Sequence, residues 1–334
     1  MRILLTGSSG WLGRFLAPRL QALGHEVTGL DVAVGPHTQV LASVADRAAV
    51  DGAFKDHGIE GVIHAGALHK PDIARFPAQA FVDVNVTGTL NLLEAAVRAG
   101  HDRFVFTSTT SLMISQAIRE ELGRSAVWLD ERCGPLEPRN IYGATKLAAE
   151  NLCRLHYLQH GLNCVVLRTA RFFPEEDDTH RELTSENMKA NELLYRRLTV
   201  EDAADIHIAA LEKAPKLGFD VLIASAPTPF IREEAPALKT QAAAVVVSRF
   251  PQAEALYAAR GWRLPASIGR VYDSSRAERV LGFRFRTNFA AVLEALDAGA
   301  TLPIADDAGY ISPSTMAVVS VDGILKRAPE QESE

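Results

Sequence analysis

Apolar and polar positions along this chain alternate between two periods. Ile3, Leu4 and Leu5 form a short apolar run inside 2–6 that stops at a Gly/Ser turn, which predicts a strand buried on both faces. The spacing then becomes helical, with Leu12, Phe15, Leu16, Leu20 and Leu23 on one face and Gly24 as the stop. A second strand is predicted over 26–30, ending in Asp31. The same alternation continues with a helix from about Ser43, where Ser43 and Asp46 resemble a capping box, and a strand at 62–64. A long helix near 78–99 shows Val84, Leu90, Leu93, Ala96 and Val97 as its apolar face. A strand at 103–107, a helix through IYGATKLAAENLCRLHYLQHG to Gly161 and a buried strand at 164–167 follow. Beyond Arg168 the pattern predicts a helix near 199–213 and a strand at 221–224. A largely helical stretch at 237–259 is broken at Pro251. Strands alternating with helices predict an α/β fold with a doubly wound parallel sheet.

Composition changes this picture little. The 334 residues suffice for one large domain or two smaller ones, and without internal repeats or long linkers two parts are expected to share one globule. Hydrophobic content of 47% and charged content of 23% are those of a globular protein. A net charge of −6 without a basic run gives no reason to expect nucleic acid or an anionic membrane as partner. No apolar stretch approaches the ~20 residues of a membrane span. The chain opens directly into a core strand, so no signal peptide is expected. Cys133, Cys153 and Cys164 lack metal-ligand spacing and are expected as reduced thiols in a cytoplasmic protein. The C-terminal PEQESE is a polar tail.

The first candidate chemistry lies in the turn after the first strand, where Gly7, Gly10 and Gly13 are spaced G-x-x-G-x-x-G. Gly7 permits a sharp turn, Gly10 lets backbone approach a pyrophosphate, and Gly13 lets helix and strand pack closely. Trp11, Leu12 and Gly13 open the helix, whose free N–H groups and partial positive charge suit phosphates. Asp31 closes the second strand, where a carboxylate accepts hydrogen bonds from the adenosine ribose and repels a 2′-phosphate. Together these features point to a dinucleotide, NAD rather than NADP.

The second lies at the ends of later strands, the edge at which doubly wound sheets bind ligands. Ala65, Gly66 and Ala67 would let a cofactor pass closely, and His69 and Lys70 follow either as ligand contacts or as solvated loop residues. Asn85 sits in the long helix among apolar residues and needs partners, structural or in the site. The strand at 103–107 delivers Ser108, Thr109, Thr110 and Ser111 to the same edge. Tyr142 and Lys146 are four apart on one helical face. An ammonium beside a phenol favours phenolate, a base able to take a proton from a substrate hydroxyl while Thr109 holds the reacting oxygen.

Taken together, TGSSGWLG, Asp31, NVTGTLNLLEAA, FVFTSTT, YGATK and VVLRTARFF resemble, in this order, the extended short-chain dehydrogenases/reductases. The chain is most similar to their NAD-dependent epimerase/dehydratase group, which includes UDP-galactose 4-epimerase, and VYDSSRAERVLGFRFR is similar to that group's C-terminal signature. The resemblance covers 1–172 well and 195–295 in patches. It implies an NAD-binding Rossmann domain of about seven parallel strands over 1–172, with 195–225 contributing, and a small substrate-binding part from 173–194 and 226–334. It implies catalysis by Thr109, Tyr142 and Lys146. NAD would be held by Gly7, Gly10, Trp11, Leu12, Gly13, Asp31, Ala65, Gly66, Ala67, Asn85, Thr107, Ser108, Tyr142, Lys146 and Thr169. A small-molecule substrate, a sugar or sugar nucleotide, would meet His69, Thr109, Thr110, Arg171 and Phe172. A homodimer through the helices around 78–99 and 140–160 is also implied.

Three departures bear on the substrate. Arg171 stands where the family commonly has Asn after L-R, and an arginine there either clamps a carboxylate or phosphate or forms a surface ion pair. Only Phe172 to Leu198 intervenes before TVEDAADIH, where the family commonly inserts a longer nucleotide-gripping segment. The run FPEEDD is acidic. Glu175, Glu176, Asp177, Asp178 and His180 read as a solvated acidic loop, with a metal site as the other reading, and no metal is expected. A smaller polyol, free sugar or hydroxy acid is therefore an alternative substrate for a simple dehydrogenase, and a non-catalytic NAD-binding regulator is a third reading. Thr110 and Ser111 stand where dehydratases of the family carry an acid pair, which disfavours 4,6-dehydration. Tyr257, Trp262, Arg263 and Tyr272 are expected either to line the pocket or to pack in the core.

Overall fold

Ile3, Leu4 and Leu5 of β1 (Arg2–Thr6) have no exposed surface, because both faces of the sheet they belong to are covered by helices. The computed structural model describes residues 1–174, 183–304, 307, 309–319 and 325–327. After β1 come α1 (Trp11–Ala22), β2 (Glu26–Asp31), β3 (Val40–Leu41), α2 (Arg47–His57), β4 (Gly61–His64), α3 (Ala78–Phe81), α4 (Gly88–Arg98) and β5 (Phe104–Thr109). Then follow α5 (Gln116–Arg119), β6 (Val127–Leu129), α6 (Ile141–His160), β7 (Cys164–Thr169), α7 (Ser185–Glu192), α8 (Val200–Leu217) and β8 (Phe219–Ala224). The chain closes with α9 (Ala235–Arg249), α10 (Ala253–Ala259), β9 (Arg270–Tyr272), α11 (Ser275–Leu281), α12 (Phe289–Asp297), β10 (Ala317–Val319) and β11 (Leu325–Arg327).

Seven strands form one sheet in the order β3-β2-β1-β4-β5-β7-β8, and every pairing in it is parallel. Strand alternation sorts the core. Ile3, Leu5, Ile63, Val105 and Leu167 pack with Leu16 of α1 and Ile206 of α8. Leu4, Val62, Phe104, Phe106 and Val166 pack on the other face with Val50 of α2, Leu92 of α4 and Cys153 of α6. Connections leave β1 toward β2 on one side and β4 on the other, so strand order reverses between β1 and β4, where such sheets open a ligand crevice.

A third core, containing Leu193, Leu238, Val246, Tyr257, Trp262, Phe289 and Leu293, joins α7, α9, α10 and α12 to the β6–β9 pair. Of the two readings of the late aromatics, this is the core one. Tyr257 and Trp262 are buried edge to face at 5.4 Å, Tyr272 packs with Leu129, and Arg263 is exposed. Helix starts also shift. Asp46 itself caps α2, its Oδ1 accepting the Ala49 N–H at 3.1 Å, while Ser43 Oγ only accepts the Ala45 N–H in the turn before. The long helix near 78–99 contains a π-helical turn at Val82–Thr87, the type of bulge that re-aims side chains near sites. The acidic run Glu175–Asp178 and His180 lie outside the described residues.

Candidate active site

The turn after β1 is built as the glycine spacing requires. Gly7 has φ +73°, and a Cβ there would fall 2.8 Å from the Gly66 nitrogen and 2.9 Å from the Ala65 carbonyl carbon. A Cβ on Gly13 would lie 2.2 Å from the Gly7 oxygen, so only glycine lets α1 sit against the turn. Gly10 caps α1 without a side-chain hydrogen bond, and a Cβ there would meet only the Gly7 oxygen, at 3.2 Å. Its open side is the cleft. Asp31 is buried at the end of β2, its Oδ2 accepting the Ser9 N–H and its Oδ1 the Ala33 N–H, each at 3.0 Å. Burial raises its carboxyl above the usual range, and these N–H donors oppose that rise.

Gly7, Gly10, Trp11, Leu12, Asp31, Ala65, Gly66, Ala67, His69, Thr107 and Phe172 all line one cleft of about 790 Å³, its open mouth included. The glycine turn, the carboxylate and the small residues after β4 thus face a common space. The donor set fits a dinucleotide: N–H groups at a helix N-terminus for phosphates and a carboxylate at one end for ribose hydroxyls.

A buried polar chain holds the loop after β4 in place. Gly66 N–H donates to Thr6 Oγ1 at 3.0 Å, Thr6 Oγ1 lies 2.7 Å from His64 Nδ1, and His64 Nε2 lies 3.0 Å from Thr89 Oγ1, which donates to the Asn85 carbonyl. The chain closes with His64 neutral and protonated on Nε2, in line with burial pushing its pKa well down. Asn85 sits in the π-helical turn. Its Oδ1 accepts the Leu68 N–H at 2.9 Å, and its Nδ2 donates to the Leu68 carbonyl and to Thr145 Oγ1, both at 3.1 Å. These bonds hold the Asn85 amide to protein groups and fix the loop after β4.

Tyr142, Lys146 and Thr109 are buried behind His69 and are not themselves among the cleft-lining residues. Tyr142 is hydrogen-bonded to Thr109, and its ring lies 5.8 Å from that of His69, which borders the cleft. The Lys146 ammonium sits 4.2 Å from the centre of the Phe106 ring. His69 packs edge-on against Phe173 at 5.0 Å, and Phe173 stacks on Phe172. Behind them Arg197 donates to the Phe173 carbonyl at 2.9 Å and pairs with buried Glu192. The expected lowering of the phenol by Lys146 is not the dominant effect. Burial pushes Tyr142 up to about 12, with the Thr109 hydrogen bond opposing, and pushes Lys146 down to about 7, with Glu150 opposing. An enclosed site disfavours the charged form of each group.

Three hydroxyls assigned to ligands from the sequence point elsewhere. Ser108 faces away from the cleft, donating at 2.6 Å to Glu150 Oε1 on α6, because its neighbour Thr107 takes the opposite face. Thr169 donates to the Ser108 carbonyl at 3.0 Å and Thr110 to the Thr169 carbonyl at 3.3 Å, so both tie β5 to β7. Arg171 forms a parallel bridge with Arg197 and is not among the cleft-lining residues. Sequence reasoning missed the buried Glu150–Arg168 pair, whose Nε–Oε1 and Nη2–Oε2 bonds are 3.0 and 2.7 Å. A glutamate one turn beyond Lys146 was the only available signal. Glu150→Ala would strand Arg168 in the interior and is expected to cost about 3–5 kcal/mol, measured by urea denaturation.

His207, also missed, lies 2.6 Å from the Ala203 carbonyl through Nδ1 and 2.8 Å from Thr107 Oγ1 through Nε2, which fixes a strand end that faces the cleft. Burial lowers its pKa from 6.5 to about 4. The unfolded chain therefore binds a proton at this site below about pH 6.5 that the folded chain refuses until about pH 4. His207 alone is expected to remove roughly 3 kcal/mol across that window, with His64 acting in the same sense and Asp31 in the opposite one. Thermal unfolding at pH 7.0 and 5.0 checks this, and His207→Gln should flatten the difference.

Among the described residues no helix is long and apolar enough to cross a membrane, and no cluster of His, Cys, Asp or Glu could hold a metal ion. Uronate dehydrogenase of Pseudomonas syringae pv. tomato is 27% identical over 180 residues, 52% of this chain and 60% of that one. L-Arabinose 1-dehydrogenase (NAD(P)(+)) of Haloferax volcanii is 34% identical over 179 residues, 50% of this chain and 65% of its own. The chain thus spans less than two thirds of the length of these curated relatives. The structure of UDP-glucose 4-epimerase from Thermus thermophilus in complex with NAD superposes with a TM-score of 0.60 at 21% identity, covering 90% of this chain and 100% of that one, and shows the same fold. The family described as NAD dependent epimerase/dehydratase matches residues 3–223 of the 334. A Rossmann sheet with a glycine turn facing an acid-ended strand is thus that of a member of the NAD-dependent epimerase/dehydratase family, with NAD as its cofactor.

Proposed function

We propose that the protein oxidises a secondary or hemiacetal hydroxyl of a small sugar or sugar acid and releases the oxidised product. The carrying observation is that buried Tyr142, one helical turn from Lys146, packs 5.8 Å from the ring of His69, which lines the cleft. NAD supplies the hydride acceptor when bound. Gly7, Gly10, Trp11, Leu12 and Asp31 would hold it, and Thr107 lines the same cleft. Thr109 orients the substrate hydroxyl, Tyr142 in its phenolate form takes the hydroxyl proton and becomes the phenol, and the Lys146 ammonium one helical turn away favours the phenolate that starts the step. Phe172, Phe173 and His69 wall the site against water.

Two observations favour a substrate without a nucleotide over the sugar nucleotide of an epimerase. Between β7 and α8 the chain devotes α7 and Leu193 to the core of the smaller lobe, which leaves little chain to grip a nucleotide. The relatives named above include dehydrogenases whose names specify a uronate and a pentose. Association as a homodimer belongs to the same proposal, supported by Leu155 and Leu158 standing exposed on α6.

The test is incubation of the purified protein with NAD and a panel of aldoses, uronates and UDP-sugars, followed at 340 nm with product analysis. NADH should accumulate with a nucleotide-free sugar. Conversion of a UDP-sugar to its epimer without net NADH would replace this proposal with the epimerase reading.

A further inference from the structure

The C-terminal segment lies across the dinucleotide cleft. Tyr310, Ser312, Pro313 and Ser314 line it together with Gly10, Trp11 and Asp31. The backbone N–H of Trp11, in the first turn of α1, donates to the Tyr310 hydroxyl oxygen at 3.0 Å across a sequence separation of 299 residues. The Tyr310 ring meets the Trp11 indole edge to face at 5.2 Å, and the Arg14 guanidinium stands 5.3 Å from its centre. A second attachment lies toward the substrate end. Ser314 Oγ donates to Asp72 Oδ1 at 2.7 Å with both groups buried, and Arg75 Nη2 donates to the Ser314 carbonyl at 3.0 Å. Asp72 also accepts the His69 N–H at 2.7 Å, so this anchor grips the loop that carries His69.

The position held by the Tyr310 oxygen is the informative one. A helix N-terminus facing a glycine turn presents its first N–H groups to phosphate oxygens. One of those N–H groups is here satisfied by a tyrosine hydroxyl of the same chain. Phosphate is the stronger acceptor, since a charged partner roughly doubles such a bond. The phenol is covalently tethered and clamped at Ser314, so it competes at high effective concentration. We propose that residues 310–314 form a strap over the cofactor cleft, and that Tyr310 is an internal competitor for the dinucleotide pyrophosphate, so that NAD enters and leaves only as the strap lifts. On binding, the Trp11 N–H exchanges the phenol oxygen for a phosphate oxygen, and the phenol keeps its own proton to donate to solvent or to the same phosphate. This inference rests on the dinucleotide reading of the cleft.

The test uses the full chain and NADH as probe. Stopped-flow nicotinamide fluorescence gives association and dissociation rates for the unaltered protein, Tyr310→Phe and Ser314→Ala. Equilibrium competition uses ADP-ribose, which carries the pyrophosphate, and adenosine, which does not. Tyr310→Phe keeps the ring packing and removes the competing oxygen. It should bind NADH and ADP-ribose roughly 3- to 10-fold tighter, mainly through faster association, with adenosine unchanged. Ser314→Ala should speed both association and dissociation several-fold, and it carries the test alone should Tyr310→Phe fold poorly. Weaker NADH binding by Tyr310→Phe would make the tyrosine a ligand of the pyrophosphate and overturn the competition. Unchanged rates in both variants would overturn the strap while leaving the cleft intact. Failure of the unaltered protein to bind NADH would instead overturn the dinucleotide reading beneath it.

Discussion

Tyr142→Phe should lower turnover by roughly 10²- to 10⁴-fold while leaving NADH affinity unchanged. The substitution deletes one oxygen from a side chain already buried against His69 and Thr109, so packing survives and the proton acceptor does not. Because burial holds the phenol up to about 12, the deprotonated form is scarce at neutral pH and the unaltered enzyme's rate should rise as pH rises from 7 to 9. That slope should vanish from whatever activity remains in the variant. Steady-state rates with NAD over this range, paired with NADH titration, separate loss of chemistry from loss of binding. Equal activity of Tyr142→Phe and the unaltered protein would remove Tyr142 from the reaction and revive a non-catalytic role for the cleft.

Gly7→Val acts on the other half of the site and should cost at least ~100-fold in NADH affinity, together with stability. The backbone at Gly7 has φ +73°, which a β-branched residue rarely adopts. Any Cβ there also meets backbone atoms of Ala65 and Gly66 within 3 Å, and backbone cannot rotate out of the way as a side-chain tip can. The turn or the loop after β4 must move, and both line the cleft. Isothermal titration with NADH and thermal unfolding on the same sample distinguish a displaced turn from an unfolded chain. NADH binding at unaltered affinity would contradict the placement of Gly7 at the cleft.

What was legible in the sequence was local. Gly7, Gly10, Gly13 and Asp31 constrain one strand–turn–helix–strand unit, and their spacing alone carries the geometry. Tyr142 and Lys146 were legible because one helical turn brings them together. The hydroxyl run at the end of β5 was legible as a cluster but not residue by residue. Successive strand residues face opposite ways, so Thr107 meets His207 on one face and Ser108 meets Glu150 on the other. Which of them faces the cleft depends on sheet register.

Contacts between distant segments were not legible at all. Arg168 and Glu150 lie on a strand and the helix that precedes it, and their pairing needs the packed sheet. Tyr257 and Trp262 carried no mark that separates a pocket wall from a core, and the third hydrophobic core decided it. Tyr310 gave no signal, because its partner Trp11 is at the other end of the chain. The long helix was read correctly in extent, but periodicity gave no sign of its π-helical turn at Val82–Thr87, where the Asn85 amide bonds Leu68 and Thr145.

The central claim is that the crevice between β1 and β4 holds NAD through the glycine turn and Asp31. Equilibrium titration of the purified chain with NADH and, separately, NADPH tests it most directly. Saturable NADH binding that is clearly tighter than NADPH binding is the predicted result, since the Asp31 carboxylate repels a 2′-phosphate. No saturable NADH binding, or a preference for NADPH, would contradict it.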